Sequence, residues 1–362
     1  MSRGRRGVRA TFHGLVCLLS AGAAAAVRPA RAAESATVTI YCSADEAIAR
    51  PLLAEFTRAT GVVVRPLFDT EAGKTTGLVH RLMAERERPR ADVWWSSELF
   101  GTIQLAEAGV LAAYEPKSAA DIPASFRDPQ HRWTAFGARG RVIAYDPKRV
   151  AAEALPRRWA DLARPEYRGR VALANPLFGT TRGQVAVQSL LWGEPACRAW
   201  LAALGASGAR VADGNSQSVL LVTRGTVDFG ATDTDDVLSA QQRGESVAML
   251  FPDLDSPHGR SRPGTLWIPN SVALVRGGPS AAAGQRLVEW LASAEMERRL
   301  AESESGNVPV RGSVAVPGAD AVRRAYWQQA TAEMRRSAGV DYAAAAARLR
   351  PCDEMVRETL LH

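Results

Sequence analysis

The chain has few residues of the kinds that build metal centres and covalent catalysis. Its four cysteines, at 17, 42, 197 and 352, are too widely spaced for a zinc site and too few for a disulfide scaffold. None of its five histidines falls in an HExxH or HxH spacing, and there is neither a GxSxG nucleophile elbow nor a GxGxxG fingerprint. Those absences exclude the enzyme classes that depend on such motifs. Acids and bases distant in sequence can still converge, so an enzyme on a globular scaffold stays open as the alternative. No internal repeat, low-complexity tract or second apolar span follows residue 32.

The first 32 residues read as an export signal. Arg3, Arg5, Arg6 and Arg9 form a basic start, HGLVCLLSAGAAAAV is the apolar stretch, and Ala30-Arg31-Ala32 fits a small-x-small cleavage site. The run from Gly14 to Val27 is shorter than the roughly 20 residues that span a bilayer. Six arginines and no acid lie in this segment, so its removal lowers the formal charge from +7 to +1. The remaining acids and bases are interspersed, which gives no nucleic-acid footprint. Cys17 is lost with the signal, and three cysteines permit at most one disulfide in an oxidising compartment, with the pair left open.

Some 330 mature residues, from a chain 46% hydrophobic, are enough for more than one core. TVTIYC (37–42) predicts a strand, IARPLLAEFTRATG (48–61) a helix ended by glycine, VVVRPLF a second strand, GLVHRLMAERER a helix and ADVWWSSE a third strand. The plan recurs in RVIAYD (141–146), RVALANP (170–176), ARVADGNSQSVLLVTRG and VDFGATDTDDVLSAQQRG. Alternating strands and helices predict α/β lobes with mainly parallel sheets flanked by helices. Ligands of such sheets sit at the carboxyl ends of strands, where SADE, DTEAGKTT, WWSSE, GTTRG and TDTDD all fall.

Taken in order, YCSADE, DTEAGKTTGLVHRLMAE, ADVWWSSE, RGRVIAYDP, GATDTDDV and GTLWIPNSVALVRG resemble the family 1 extracellular solute-binding proteins of bacterial ABC importers. The likeness is to the branch that includes ferric-ion-binding periplasmic proteins. It implies a two-lobed periplasmic-binding-protein fold of type II, its lobes joined by hinge strands. Lobe one is expected at 33–138 and 271–315, and lobe two at 139–270 and 316–362. The resemblance breaks at the metal ligands: Asp45 stands where ferric binders have histidine, Glu98 comes one position late, and Asp235 and Asp236 replace the tyrosine pair. GTTRG (179–183) is similar to the helix N-terminus that holds the accompanying anion.

The expected ligand-binding residues are Ser43, Asp45, Lys74, Thr75, Ser96, Ser97, Glu98 and Arg139 from the first part of the chain. Thr180, Thr181, Asn215, Asp233, Asp235 and Asp236 complete the set. If a cation binds, Asp45, Asp235 and Asp236 are its expected ligands. Each has a plain structural reading as well: Asp233, Asp235 or Asp236 can cap a helix, Lys74 and Thr75 can merely begin one, and Arg139 can be ion-paired. No catalytic residue and no cofactor is expected. The reading is an exported, periplasmic, monomeric solute-binding protein that delivers a small-molecule or metal-anion ligand to an ABC permease of the inner membrane, with no nucleic-acid partner. An enzyme or a sensor on the same fold is the alternative.

Overall fold

The computed structural model describes residues 36–69, 75–255, 264–316, 320–337 and 339–361. The expected signal segment and Lys74 lie outside the described residues. Among the described residues, ten strands run β1 (Thr37–Cys42), β2 (Val63–Phe68), β3 (Val93–Ser96), β4 (Leu111–Ala112), β5 (Thr134–Tyr145), β6 (Val171–Ala174), β7 (Arg210–Ala212), β8 (Phe229–Asp233), β9 (Ala248–Leu250) and β10 (Trp267–Val275). The helices are α1 (Glu46–Thr60), α2 (Thr76–Ala84), α3 (Phe100–Glu107), α4 (Gly179–Trp192), α5 (Glu194–Ala206), α6 (Asn215–Thr223), α7 (Thr234–Gln242), α8 (Ala281–Leu291), α9 (Ala294–Glu302), α10 (Ala321–Arg336), α11 (Tyr342–Ala346) and α12 (Leu349–Thr359).

Strand order is β2-β1-β3-β10-β5-β8-β6-β7, with β4 added to β10 and β9 to β5. The trio β2-β1-β3 is parallel, as is β8-β6-β7, which is the βαβ arrangement expected from the sequence. Two antiparallel strands join the trios. Residues Thr134 to Gly140 of β5 pair with β10, and Arg141 to Tyr145 pair with β8. One strand therefore belongs to both lobes. The sequence reading placed a strand only at 141–146, because Gly137 and Gly140 interrupt the apolar run before it. Gly137 has φ +49 opposite a register shift at Pro269/Asn270, and a Cβ on Gly140 would press on Thr234 and Trp267.

Successive strand residues point to opposite faces of a sheet, and the adjacent tryptophans display it. Trp94 packs with Leu78, Leu82 and Ile103 from α2 and α3, whereas Trp95 packs in a second cluster with Leu53, Phe56 and Leu287 from α1 and α8. Both indoles are fully buried. Helix α1 follows the same logic, with Ala49, Leu52, Leu53 and Phe56 on its buried face and Gly61, at φ 72, ending it. Each such Leu or Phe contributes roughly 2 kcal/mol of apolar burial. After α9 the chain packs α10 on α7, α11 on α3 and α4, and α12 on α4 and α5.

The hinge is pinned by polar contacts. Asn270 donates to Gly137 O (2.8 Å) and to Asn307 Oδ1 (2.6 Å), and its own Oδ1 accepts from Trp95 Nε1. Glu297 accepts from the backbone N–H groups of Gly137 and Val310 and pairs with the buried Arg311. No helix among the described residues is long and apolar enough to cross a membrane.

Candidate functional site

Four of the strand-to-helix turns converge. The starts of α1, α4, α6 and α7 line one cavity of about 350 Å³, together with Ser97 after β3, Arg139 on the hinge strand, and Glu304 and Ser305 after α9. The first N–H groups of every helix lack intrahelical acceptors, and the helix dipole is positive at that end. Opposing this positive field are six lining carboxylates, Asp45, Asp213, Asp233, Asp235, Asp236 and Glu304.

Behind the second-lobe wall lies Arg141, whose side chain is 0% exposed. A bare guanidinium there would be prohibitively costly, and five polar side chains are turned to it. Nε donates to Gln184 Oε1 (2.8 Å); Nη1 donates to Asp233 Oδ1 (2.8 Å), Thr180 Oγ1 (3.1 Å) and Asn215 Oδ1 (3.1 Å); Nη2 donates to Thr181 Oγ1 (3.2 Å). Asp233 also accepts from Thr180 Oγ1 (2.6 Å) and Asn215 Nδ2 (2.8 Å). The sequence reading had Asp233 as a ligand contact or helix cap. It occupies the N-cap position of α7, yet its carboxylate makes no capping bond and is given to Arg141 instead. The Thr180 and Thr181 hydroxyls are committed to the same network, so what they leave for a solute is chiefly the α4 N–H groups.

Arg139, two residues earlier and on the same face of β5, enters the cavity. Its Nε lies 3.3 Å from Asp235 Oδ2. Burial pulls the guanidinium's pKa down, but the fields of Asp235, Asp233, Asp45 and Asp236 outweigh it and leave the pKa raised. Carboxylates of both lobes therefore act on one cation. Asp236 accepts from Thr232 Oγ1 (3.1 Å). One carboxylate oxygen from each of Asp233, Asp235 and Asp236 lies within 4.8 Å of the others, close enough for a shared hard cation. Asp45 lines the cavity from the first lobe and is not part of that trio.

Apart from Asp45, the first-lobe wall is built mainly of hydroxyls. Ser43 Oγ accepts from Ser97 N (3.0 Å) and Thr75 Oγ1 (3.2 Å) and lies 3.4 Å from Ser96 Oγ. Thr75 has φ 67, a costly conformation for a β-branched residue. Glu98 is buried and accepts from the N–H groups of Phe100 (2.5 Å) and Gly101 (2.9 Å) at the start of α3. Desolvation pushes its pKa up to about 7 despite those bonds. Thr75 and Glu98 line a small second hollow, with Phe100 and Gly101 on one side and Gly179, Arg182 and Gly183 of the other lobe opposite. A Cβ on Gly183 would overlap the Phe100 ring, so the lobes are in close contact there.

Of the expected residues, Asp45, Ser97, Arg139, Thr180, Thr181, Asn215, Asp233, Asp235 and Asp236 share the large cavity. Thr75 and Glu98 flank the smaller one, and Ser43 and Ser96 lie buried beneath the rim. Asp213, Glu304, Ser305 and the central role of Arg141 were missed. Asp213 directly follows β7 and obeys the strand-end rule that selected Asn215. Arg141 carried a signal too, since a charged residue inside a central strand requires a buried partner. Glu304 and Ser305 follow a helix, and no pattern marks them.

A model of bacterial extracellular solute-binding proteins matches residues 102–225. The Fe(3+)-binding periplasmic protein of Serratia marcescens is 28% identical over 223 residues, 62% of this chain and 64% of that protein, so this match spans under two thirds of the relative's length. The major ferric iron-binding protein of Neisseria meningitidis is 28% identical over 290 residues, 78% of this chain and 82% of its own. Iron-bound HitA from Pseudomonas aeruginosa superposes with a TM-score of 0.76 at 23% identity, over 90% of this chain and 99% of HitA. In sequence and in fold, then, the chain resembles the two-lobed bacterial extracellular solute-binding proteins of the ferric-ion-binding branch.

Proposed function

We propose that the protein is the exported solute-binding component of an ABC import system, capturing a small polar solute in its cleft and presenting it to an inner-membrane permease. The observation that carries this reading is a cavity lined by both lobes, with Asp45 and Ser97 on one side and Thr180, Asn215, Asp235 and Asp236 on the other. Neither wall alone surrounds a solute, so binding favours the closed arrangement of the lobes. The protein acts as a monomeric periplasmic binder and not as an enzyme, in keeping with relatives named for binding.

The cavity suits a solute with two poles. Asp45, Asp235 and Asp236 receive its cationic, metallic or hydroxyl-bearing part, and the N-termini of α4 and α6 receive its anionic part. An aminophosphonate, a sugar phosphate or ferric iron with a companion anion has this form. Where the cationic pole is a metal, Asp45, Asp235 and Asp236 supply oxygen ligands in place of phenolates. Native mass spectrometry of freshly purified protein tests the proposal: a retained small molecule or metal, released unchanged on denaturation, is expected. Turnover of the bound compound, or retention undisturbed by changing Asp235 and Asp236 together, would contradict it.

A further inference from the structure

We propose that Cys197 and Cys352 form a disulfide in the exported protein, stitching the last helix to the second lobe. The inference rests on the export reading above, because an oxidising compartment is what allows such a bond to persist. Both residues are buried, Cys197 on α5 and Cys352 on α12, helices that pack together. Both sulfurs lie against one carbonyl on α4: Val185 O is 3.8 Å from Cys197 Sγ and 4.0 Å from Cys352 Sγ. Both are free thiols in the structure, and two atoms held by a common neighbour in this way are at most about 8 Å apart, so closing the bond requires α5 and α12 to bring the sulfurs together. Cys42 ends β1 in the first lobe and packs in the core cluster on the other side of the sheet.

Burial raises the pKa of the Cys197 thiol, and the neighbouring Cys352 raises it further. The folded pair is thus a poor source of thiolate, and the bond forms while the chain is still open. One cysteine thiolate attacks the disulfide of a periplasmic thiol oxidase to give a mixed disulfide, and the other displaces it. The two thiol protons pass to the oxidase sulfurs, and the oxidase leaves as its dithiol.

The bond has a consequence beside the cleft. Asp353, next in sequence to Cys352, holds Arg182 of α4 through two contacts of 2.8 Å. Arg182 lines the hollow between the lobes next to Glu98, and with Asp353 it also lines a neighbouring surface pocket. Fixing α12 fixes the group that keeps Arg182 turned toward the C-terminal helix.

The test is thiol counting with a mass tag in denaturant on protein recovered from osmotic-shock fluid. Among Cys42, Cys197 and Cys352, one tag is expected before reduction, on Cys42, and three after it. A non-reducing peptide map should contain the 197–352 cross-link. Three tags before reduction, or a cross-link involving Cys42, would overturn the pairing. Recovery in the shock fluid tests export separately, and protein made in the cytosol and refolded with oxidised glutathione reads the pairing wherever export stands. Reductant should lower the thermal midpoint of the oxidised protein to that of Cys352→Ser and leave the variant unmoved.

Discussion

The first lobe meets the cleft with Asp45, a cluster of hydroxyls and a buried carboxyl group, while the second meets it with ionic groups already bonded to one another. Ser43, Thr75, Ser96 and Ser97 form a neutral cluster whose members exchange weak contacts of 3.0 to 3.5 Å. Arg141 and Asp233 instead bind Gln184, Thr180, Thr181 and Asn215 in one network. The difference indicates a division of labour. The second lobe is pre-organised, so its helix N-termini and Asp235 and Asp236 are held in place before a solute arrives. The first lobe is the adaptable wall, able to turn its hydroxyls as donors or acceptors on closure.

The largest effect should come from cutting the network. Arg141→Leu leaves Asp233 buried without its counter-charge and should cost about 3–5 kcal/mol in denaturant unfolding. Ser43→Ala, on the opposite wall, should cost only about 1 kcal/mol. Equal losses would erase the contrast between the walls.

Next in size is the contact of the two lobes. Gly183→Val drives a side chain into the space of the Phe100 ring, which also stacks edge-on against Tyr342. It should hold the lobes apart and weaken solute binding by roughly tenfold, about 1.4 kcal/mol. Small-angle scattering should show a larger radius for the variant in the presence of solute; an unchanged radius would remove Phe100 from the closure.

A smaller, pH-dependent effect belongs to Glu98. Its folded pKa, raised by burial to about 7, lies above the ordinary glutamate value, so the native state prefers the protonated carboxyl. The stability tied to it is fully present below the unfolded pKa and is lost as pH rises through about 7. Between pH 5 and pH 7.5 the parent should lose stability relative to Glu98→Gln, as read from paired denaturation curves. Parallel curves would mean that Glu98 is ionised throughout.

Much of this arrangement was legible in the sequence because strand periodicity and strand-end turns are local signals. β1, β6 and β8 lie where alternation placed them, and nine of the expected residues line one cavity. What escaped was non-local. The first half of β5 carries glycines for a bulge and a close approach, which hide a strand. Arg141 and Asp233 are partnered across 92 positions. Glu304 reaches the rim only because the chain returns to it after α9. The acidic cluster at Asp233, Asp235 and Asp236 was visible in the sequence, whereas the diversion of Asp233 to Arg141 required the fold.

The most direct test of a solute shared by both walls is calorimetric titration of the native solute, identified by mass spectrometry, into the parent protein and into Asp45→Ala and Asp235→Ala, one from each lobe. Both variants should bind at least roughly tenfold more weakly while unfolding at the parent's midpoint. Unchanged affinity in either variant would mean that its lobe contributes nothing to binding through that residue, and unchanged affinity in both would contradict the shared cleft.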